Sequence, residues 1–256
     1  MSPRGGRAVN ELFVAEVALD RAALRQVGGY LTDLPCLREL GALAFHRPVT
    51  YFVGENGTGK STLLEGLAVA LGLNPEGGGR NFHFASKETH SPLHRCLTVT
   101  KGPYRPQTSY FLRAESFYNL ASEVDRLEEI GAPGLFDSYG GRSLHSQSHG
   151  EAFLSLVLGR FPPRGLYLLD EPEAALSPSR QLALLRQIHL LAEGGSQFII
   201  ATHSPILMAL PGAAILSFEE GGAIRPTAYR ETSHYQVTRA FLEAPERMLR
   251  ELLDGE

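Results

Sequence analysis

The chain has 256 residues, of which 43% are hydrophobic and 20% charged, and its formal net charge is −4 at neutral pH. This is the composition of a globular protein with enough chain to bury a sizeable core, so it excludes a largely disordered protein. The acidic balance argues against a generally basic nucleic-acid surface. No uncharged apolar run approaches the roughly 20 residues that span a bilayer, so we expect no direct membrane insertion.

The two cysteines indicate a reducing compartment. Cys36 and Cys96 lie far apart in the sequence and form neither a C-x-x-C pair nor a disulfide framework. The first ten residues are polar and glycine-rich and have no features of a signal peptide. We therefore expect a cytoplasmic location.

A phosphate-binding loop follows the second predicted strand. The first strand is predicted over residues 12–19 and the second over residues 49–53. Residues 54–61 read Gly-Glu-Asn-Gly-Thr-Gly-Lys-Ser and match G-x-x-x-x-G-K-[ST] without a substitution. An apolar helix is predicted directly afterwards, over residues 61–73. This order predicts a nucleotide site, because loop amides and a helix N-terminus both attract phosphate.

Each residue type in the loop has an expected role. Glycines let backbone amides turn toward a triphosphate, Lys60 reaches the β- and γ-phosphates, and the Ser61 hydroxyl binds Mg²⁺. The predicted nucleotide-binding residues of this loop are Gly54, Asn56, Gly57, Thr58, Gly59, Lys60, Ser61 and Thr62. The loop recognises phosphates and not the base, so it does not distinguish ATP from GTP. Tyr30 is a candidate for stacking on the base, but we expect it in the core.

The middle of the chain is predicted to contain two strands and a helical lobe. Strands are predicted over residues 97–100 and 109–112, separated by Gly-Pro and Arg-Pro turns. Helices are predicted over residues 117–130 and 151–158. We expect a single domain in which a helical lobe, residues 115–159, is inserted in a core formed by residues 1–114 and 160–256.

Residues 80–105 contain basic and aromatic side chains as well as three histidines, which allows two functional interpretations. Charge and stacking together could bind nucleic acid, although we favour a solvated loop because the net charge is acidic. His83, His90 and His94 could suggest a metal site, but no finger-like ligand spacing accompanies them, and we favour a polar loop.

An apolar strand predicted over residues 165–169 ends in two acids, Asp170 and Glu171. An acid at this place can hold Mg²⁺, through water, opposite the Ser61 hydroxyl, and a second acid can orient the attacking water. Phosphoryl transfer needs positioning and charge neutralisation, which this pair would supply. The alternative is a solvated acidic turn, which we disfavour because a phosphate loop precedes the pair.

The remaining predicted elements complete an α/β pattern. They are a helix over residues 180–192, a strand over 197–201, a hairpin of 215–218 with 223–227, and a terminal helix over 245–253. Strands that alternate with helices predict an α/β fold with a largely parallel sheet.

Two further motifs complete a resemblance. Residues 146–151, Ser-Gln-Ser-His-Gly-Glu, precede an apolar helix, and residues 201–205, Ala-Thr-His-Ser-Pro, follow a strand. With the phosphate loop and the acidic pair, these motifs resemble, in the right order, those of the ABC-type P-loop ATPases. The sequences of residues 170–178 and 201–205 are similar to the soluble branch of this superfamily, which includes chromosome-maintenance, break-repair and overcoming-lysogenisation-defect ATPases. Residues 111–117, together with these motifs, resemble a group of compact predicted bacterial ATPases of this branch. The resemblance covers nearly the full chain.

The resemblance implies an ABC-type nucleotide-binding domain with an N-terminal antiparallel β part and a set of site roles. It implies Lys60, Glu171 and His203 as catalytic residues, with His203 sensing the γ-phosphate. Ser148 and Gly150 would contact the γ-phosphate of ATP held by the other subunit, and residues 173–178 would cross the dimer interface. Ser61 and Asp170 would hold Mg²⁺, and Glu115 is the nearest candidate where the family carries a metal-contacting glutamine.

We therefore expect a soluble, Mg²⁺-dependent ATPase that forms an ATP-induced head-to-tail homodimer in a DNA-maintenance, defence or regulatory setting. Three alternatives stay open. They are the energy subunit of an ABC transporter, a DNA-maintenance head without its coiled coil, and a nucleotide-regulated binding module with little turnover.

Overall fold

The computed structural model of the protein describes residues 12–75, 77–79, 91–114 and 147–253. Within them the strands are β1 (Val14–Leu19), β2 (Ala42–Ala44), β3 (Val49–Val53), β4 (Gly78–Gly79), β5 (Leu97–Lys101), β6 (Ser109–Arg113), β7 (Leu166–Asp170), β8 (Gln197–Ala201), β9 (Ala214–Phe218) and β10 (Ile224–Pro226). The α-helices there are α1 (Arg21–Val27), α2 (Pro35–Glu39), α3 (Lys60–Ala70), α4 (His149–Arg160), α5 (Pro178–Glu193), α6 (Ser233–Glu243) and α7 (Pro245–Leu253).

A mostly parallel sheet forms the centre of the protein. Its strand order is β10-β9-β3-β8-β7-β6-β4, with β9, β3, β8, β7 and β6 parallel and with antiparallel strands at both edges. Every residue of β3, β7 and β8 is buried, as expected for strands covered on both faces. The predicted α/β fold with a mostly parallel sheet is confirmed.

Two hydrophobic cores cover the two faces of this sheet. Along β3, Tyr51 and Val53 belong to one core and Phe52 to the other, because successive side chains of a strand point to opposite faces. Helices α4 and α5 pack in the first core, and α3 packs in the second. This double burial fixes the carboxyl end of β3, where the phosphate loop begins.

A smaller antiparallel sheet, of order β2-β1-β5, contains the N-terminal part of the described chain. The buried amide of Gln197 joins it to the central sheet. The Gln197 Oε1 atom accepts hydrogen bonds from the backbone N–H groups of Phe13 and Val14, at 2.9 Å each, and its Nε2 atom donates to Val14 O at 2.9 Å. One polar side chain therefore satisfies three backbone groups at the start of β1.

The strands predicted over residues 97–100 and 109–112 are present, but they belong to different sheets. Strand β5 pairs with β1, whereas β6 pairs with β7 in the central sheet. The burial of the two strands explains the separation. Four of the five residues of β6 are buried, which suits the central sheet, whereas three of the five residues of β5 are exposed and none is buried.

One further prediction is wrong, and several others concern residues that the structure does not describe. The expectation of a core position for Tyr30 is wrong, because this side chain is 56% exposed on a 3₁₀ turn in which Leu31 takes the buried position. The helix predicted over residues 117–130, most of the helical lobe, Glu115, His83 and His90 lie outside the described residues. In the part of the chain that is described, no helix is long and apolar enough to cross a membrane.

Candidate functional site

The phosphate loop connects β3 to α3 and requires glycine at two positions. Gly59 has φ 99° and precedes the first residue of α3, and a Cβ atom there would lie 2.4 Å from Cys36 Sγ. Gly54 has φ 139°, and its Cβ atom would lie 2.3 Å from the carbonyl oxygen of Phe218. Positive φ and close approach together exclude a side chain at either position.

Lys60 is held by the loop that it completes. Its side chain is buried, and Nζ donates hydrogen bonds to the carbonyl oxygens of Gly54 and Glu55, at 2.8 Å each. Burial lowers the pKa of Lys60, and the nearby carboxylates of Glu171 and Asp170 act in the opposite direction. The ammonium group is thus fixed at the loop, where phosphate oxygens would approach.

Thr58, Asn56 and Thr62 occupy three different environments. The Thr58 hydroxyl is buried and donates to Glu55 O at 2.9 Å, and Thr58 O accepts a hydrogen bond from the Cys36 N–H group at 3.3 Å. Asn56 is exposed on the loop, and Thr62 is half-buried in the first turn of α3. Thr58 therefore stabilises the loop through buried hydrogen bonds, whereas the Asn56 side chain is accessible to solvent.

Ser61 and Asp170 meet, although they are far apart in the sequence. Asp170 ends β7 and is 3% exposed, and its Oδ1 atom accepts a hydrogen bond from Ser61 Oγ at 2.8 Å. They border a cavity of about 240 Å³ that is also lined by Arg113, Ala114, Glu171, Ala174 and Ala175. Mg²⁺ prefers oxygen ligands and keeps several waters, so this hydroxyl and carboxylate fit a Mg²⁺ site that phosphate oxygens and water would complete.

Arg113 is a site residue that the sequence reasoning missed. It lies beside Asp170 in the parallel register of β6 and β7. Its Nε atom donates to Asp170 Oδ2 at 2.9 Å, and its Nη1 atom donates to Glu65 Oε2 at 3.0 Å. Glu65 Oε1 in turn accepts the Ser91 N–H group at 2.9 Å. The available signal was a basic residue at the end of a strand adjacent to the acidic pair.

Glu171 adopts a backbone conformation that is uncommon for residues other than glycine, with φ 48° and ψ 50°. Its N–H group donates to Ala201 O at 2.9 Å, which ties the end of β7 to the end of β8. Its Oε1 atom lies 3.5 Å from His203 Nε2. Residues in such sparsely populated conformations persist where the surrounding structure holds them, often at functional sites.

His203 is positioned by Glu173, from the segment expected at the dimer interface. The Glu173 carboxylate accepts the N–H group of His203 and the hydroxyl of Thr202. Burial raises the pKa of Glu173, although these hydrogen bonds oppose the shift. Burial and the positive charge of Lys60 lower the pKa of His203 to about 4, so its imidazole is neutral at pH 7 and its contact with Glu171 is not an ion pair.

A second histidine, also missed, contacts His203. His203 Nδ1 and His234 Nε2 are 2.8 Å apart, and burial lowers the pKa of His234 as well. His234 lies in the first turn of α6, a helix that was not predicted. No sequence motif marks His234, and its separation of 31 positions from His203 is too large for a local sequence pattern to show the contact.

The predicted signature residues begin α4. Glu151 Oε2 accepts hydrogen bonds from the Ser148 N–H group at 3.1 Å and from Ser148 Oγ at 2.7 Å, which lowers the pKa of Glu151. Arg180 donates to Ser148 Oγ at 3.2 Å and to Glu151 Oε1 at 2.8 Å. A Cβ atom on Gly150 would lie 2.6 Å from Ala175 O. Among the described residues, no hydrogen bond joins Ser148 or Gly150 to the phosphate loop.

Apart from Ser61 and Asp170, metal ligands among the described residues would be histidine, cysteine or acidic side chains. Within the described ranges, no group of three or more histidine, cysteine or acidic side chains is placed to hold a metal ion. His94 Nδ1 lies 3.3 Å from Ser91 O at the start of a 3₁₀ turn.

Comparison with known proteins identifies two family matches. Residues 35–105 match a family described as "AAA domain", and residues 138–209 match one described as "AAA domain, putative AbiEii toxin, Type IV TA system". The first match includes the phosphate loop, and the second includes Ser148, Asp170, Glu171 and His203.

The curated relatives that the chain matches are described as ATP-binding proteins. The chain is 29% identical to a "Putative ABC transporter ATP-binding protein" of Streptomyces avermitilis over 84% of this chain, but it spans only 40% of that relative's length. It is 31% identical to the cytochrome c biogenesis ATP-binding export protein CcmA of Rhizobium johnstonii, over 60% of this chain and 74% of the relative. It is 32% identical to the vitamin B12 import ATP-binding protein BtuD of Salmonella typhimurium, over 60% of this chain and 66% of the relative.

Among solved structures, the SMC head domain from Thermotoga maritima is similar to this chain with a TM-score of 0.47 and 16% sequence identity. The similarity covers 85% of this chain and all of that one.

Proposed function

The chain belongs to the ABC-type P-loop ATPases, and from this membership we propose that it hydrolyses ATP with Mg²⁺ and acts as a nucleotide-gated head-to-tail homodimer. The observation that carries the proposal is the contact between Ser61 Oγ, which directly follows Lys60 of the phosphate loop, and Asp170 Oδ1, at 2.8 Å. The contact joins a hydroxyl and a carboxylate, the oxygen donors that a nucleotide-bound Mg²⁺ requires.

The proposed roles follow the geometry. Lys60 and the loop amides bind the β- and γ-phosphates, and Ser61 and Asp170 hold Mg²⁺, which would neutralise phosphate charge when bound. Glu171 orients the attacking water from a carboxylate that lines the same cavity. His203 donates to the γ-phosphate from beside Glu171. Positioning and charge neutralisation provide most of the catalysis in phosphoryl transfer.

The second subunit is proposed to complete each site. Ser148 and Gly150 stand at the N-terminus of α4, where backbone amides favour an anion. Because they make no hydrogen bond to the phosphate loop within the described part of the chain, we propose that they meet ATP held by the partner. We propose further that residues 115–159 form the lobe that presents them, and that Glu115 assists at the metal.

The experiment is light scattering after size exclusion on Glu171→Gln, with and without Mg-ATP. Removing the water-orienting carboxylate should trap bound ATP, so we expect the mass to double only with nucleotide, while phosphate release falls by about 100-fold or more. Lys60→Ala is the matched control that should bind nucleotide poorly and stay monomeric. A monomer that demonstrably binds ATP would overturn the homodimer, and Lys60→Ala with unchanged affinity would overturn the phosphate-loop assignment. Competition between ATP and GTP in the same assay shows which of the two nucleotides the protein prefers.

The cellular setting is also a proposal. We propose DNA maintenance, defence or regulation, on the resemblance of the motifs at residues 170–178 and 201–205 to the soluble branch. ATP-dependent retention of DNA that weakens steeply with salt would support a DNA role. Retention that is absent at low salt would contradict it.

A second candidate is the energy subunit of a transporter. It is favoured by the similarity to relatives that are described as transporter, export and import ATP-binding proteins. Affinity purification of the tagged chain from its own membranes tests it. Stoichiometric recovery of an integral membrane protein would favour this candidate over the homodimer.

A further inference from the structure

The imidazole of His203 is in contact on both of its ring nitrogens. Nδ1 lies 2.8 Å from His234 Nε2, and Nε2 lies 3.5 Å from Glu171 Oε1. The two rings meet edge to face, with centroids 4.9 Å apart. His203 Nε2 and His234 Nδ1 are both buried, and neither makes a hydrogen bond in the part of the protein that the structure describes.

Both rings are neutral at pH 7, because burial lowers the pKa of each. A neutral imidazole carries one proton, so the contact between the rings holds a single N–H group. Either His234 Nε2–H donates to His203 Nδ1, or His203 Nδ1–H donates to His234 Nε2. The choice decides whether His203 Nε2 carries a proton or a lone pair.

The surroundings favour the first arrangement. A proton on His203 Nε2 faces the Glu171 carboxylate, whereas a lone pair there would face a negative oxygen. Within the described residues, each arrangement leaves one buried N–H group without a hydrogen bond, His203 Nε2–H in the first and His234 Nδ1–H in the second. The first arrangement places that N–H group 3.5 Å from a carboxylate oxygen, whose negative charge favours a proton there. The contact with Glu171 therefore places the proton of His203 on Nε2.

His234 is anchored firmly enough to impose this choice. Tyr229 Oη donates to Pro205 O at 3.0 Å, two residues beyond His203. Thr232 is buried and is the N-cap of α6. Its hydroxyl donates to Tyr229 O at 2.8 Å, and Thr232 Oγ1 accepts a hydrogen bond from the Tyr235 N–H group at 3.4 Å. The start of α6 is thereby attached to the segment that carries His203.

We propose that His234 is a positioning residue that donates Nε2–H to His203 Nδ1 and so keeps the proton of His203 on Nε2, toward Glu171 and the γ-phosphate. The inference deepens the proposed function, since it supplies His203 with the donor that a phosphate oxygen needs. It also makes α6 part of the ATPase site.

The test compares three variants of the full chain. His234→Ala removes the donor, His234→Gln keeps an N–H group at a similar reach, and His189→Ala removes an exposed histidine of α5 as the control. We expect kcat of His234→Ala to fall by a factor of about 3 to 10, as for the loss of one neutral hydrogen bond, with KM for ATP little changed. His234→Gln should recover most of kcat, and His189→Ala should match the wild type.

The tautomer is measured separately by ¹⁵N NMR of the imidazole nitrogens, without nucleotide. We expect His203 of the wild type and of His234→Gln to be protonated on Nε2, and His203 of His234→Ala to be a mixture. A wild-type His203 protonated on Nδ1 would overturn the inference, as would a His234→Ala variant with unchanged tautomer. Because this measurement needs no turnover, a wild type without ATPase activity would refute the proposed hydrolysis and leave the inference about His234 to be decided by NMR.

Discussion

The carboxylate of Asp170 is shared between a hydroxyl and a guanidinium group. Ser61 Oγ and Arg113 Nε occupy its two oxygens, and Arg113 also neutralises Glu65, so one cation separates two buried acids. Without Arg113, Asp170 and Glu65 would both lose a charged donor, and among the described residues they would keep only neutral ones, the Ser61 hydroxyl and the Ser91 N–H group. Such removal of one partner costs more than the intact pair contributes.

Arg113→Met should therefore lower the free energy of unfolding by about 2 kcal/mol, less than for a fully buried pair because Arg113 is 24% exposed. Urea denaturation without nucleotide measures it. The matched control is Arg225→Met, whose 3.7 Å contact with Glu219 is exposed and should matter by less than about 0.5 kcal/mol. Equal losses in the two variants would contradict the buried network.

Gly59 and Gly57 allow backbone strain to be separated from a steric clash. Both have positive φ, 99° and 81°, but a Cβ atom on Gly57 would meet nothing within 4 Å, whereas one on Gly59 would strike Cys36 Sγ. We expect Gly57→Ala to cost about 1 kcal/mol of unfolding free energy and Gly59→Ala about 3 kcal/mol. The two urea midpoints give the comparison.

The contribution of the contact between residue 59 and Cys36 Sγ is tested separately with a double variant. In the double variant Gly59→Ala with Cys36→Ala, the added methyl group would lie 3.6 Å from the nearest Cys36 atom, its Cβ, which is an ordinary contact. A double-mutant cycle should then show a favourable coupling of about 1 to 2 kcal/mol. Additive losses would show that Cys36 does not restrict the loop.

The sequence predicted some residues of this site and not others for a physical reason. Lys60, Ser61, Asp170 and Glu171 are marked by local patterns, a loop after a strand and acids at a strand end. Arg113 and His234 reach the site only through sheet register and helix packing. Contacts between residues that are distant in the chain leave no local periodic pattern in a single sequence.

At the scale of elements, Gln197 connects the two sheets. Its side chain belongs to β8, but its three hydrogen bonds go to the backbone at the start of β1. Gln197→Leu keeps the volume and leaves three buried backbone groups of Phe13 and Val14 without partners. We expect a loss of about 3 kcal/mol of unfolding free energy.

Hydrogen exchange should localise the effect of Gln197→Leu, with amides of β1 losing protection before those of β3 and β7. Gln236→Leu on the exposed face of α6 is the control, and it should change stability by less than about 0.5 kcal/mol. Loss of protection that begins in the central sheet would contradict this account of the joint between the sheets.

Fully buried strands were predictable, and short helices were not. β3 and β8 match their predicted bounds because continuous apolar runs are typical of parallel strands. Helices α1 and α2 have only 7 and 5 residues, too few for a helical period to stand out. The partner of β5 was unpredictable because the turn before β6 indicates a change of direction and not a change of sheet.

At the scale of the whole molecule, nucleotide binding should stabilise the fold. The site draws on β3, α3, β7 and β8, which pack in both hydrophobic cores. Mg-ATP at 100 times its dissociation constant should add about 2.7 kcal/mol to the free energy of unfolding, if it binds only the folded chain. Lys60→Ala should abolish most of this gain, and a gain of equal size in Lys60→Ala would place the nucleotide elsewhere.

The parallel order of strands accounts for the predictable part of the site. Carboxyl ends of adjacent parallel strands share one edge, so Asp170 and Ala201, which are register partners, had to bring Glu171 and His203 together. The contribution of α6 was not predictable, because this helix follows the antiparallel hairpin of β9 and β10 and returns to the site only in three dimensions.

The reactivity of the Cys36 thiol provides a measure of how often the phosphate loop opens. Cys36 is 1% exposed against Gly59, and burial raises its pKa to about 12, so an alkylating reagent can react only when the loop moves away. In a Cys96→Ala background, the labelling rate of Cys36 would count loop openings. Bound Mg-ATP should lower the rate at which Cys36 is alkylated. An alkylation rate that does not change with nucleotide would mean that the reagent reaches the thiol without movement of the phosphate loop.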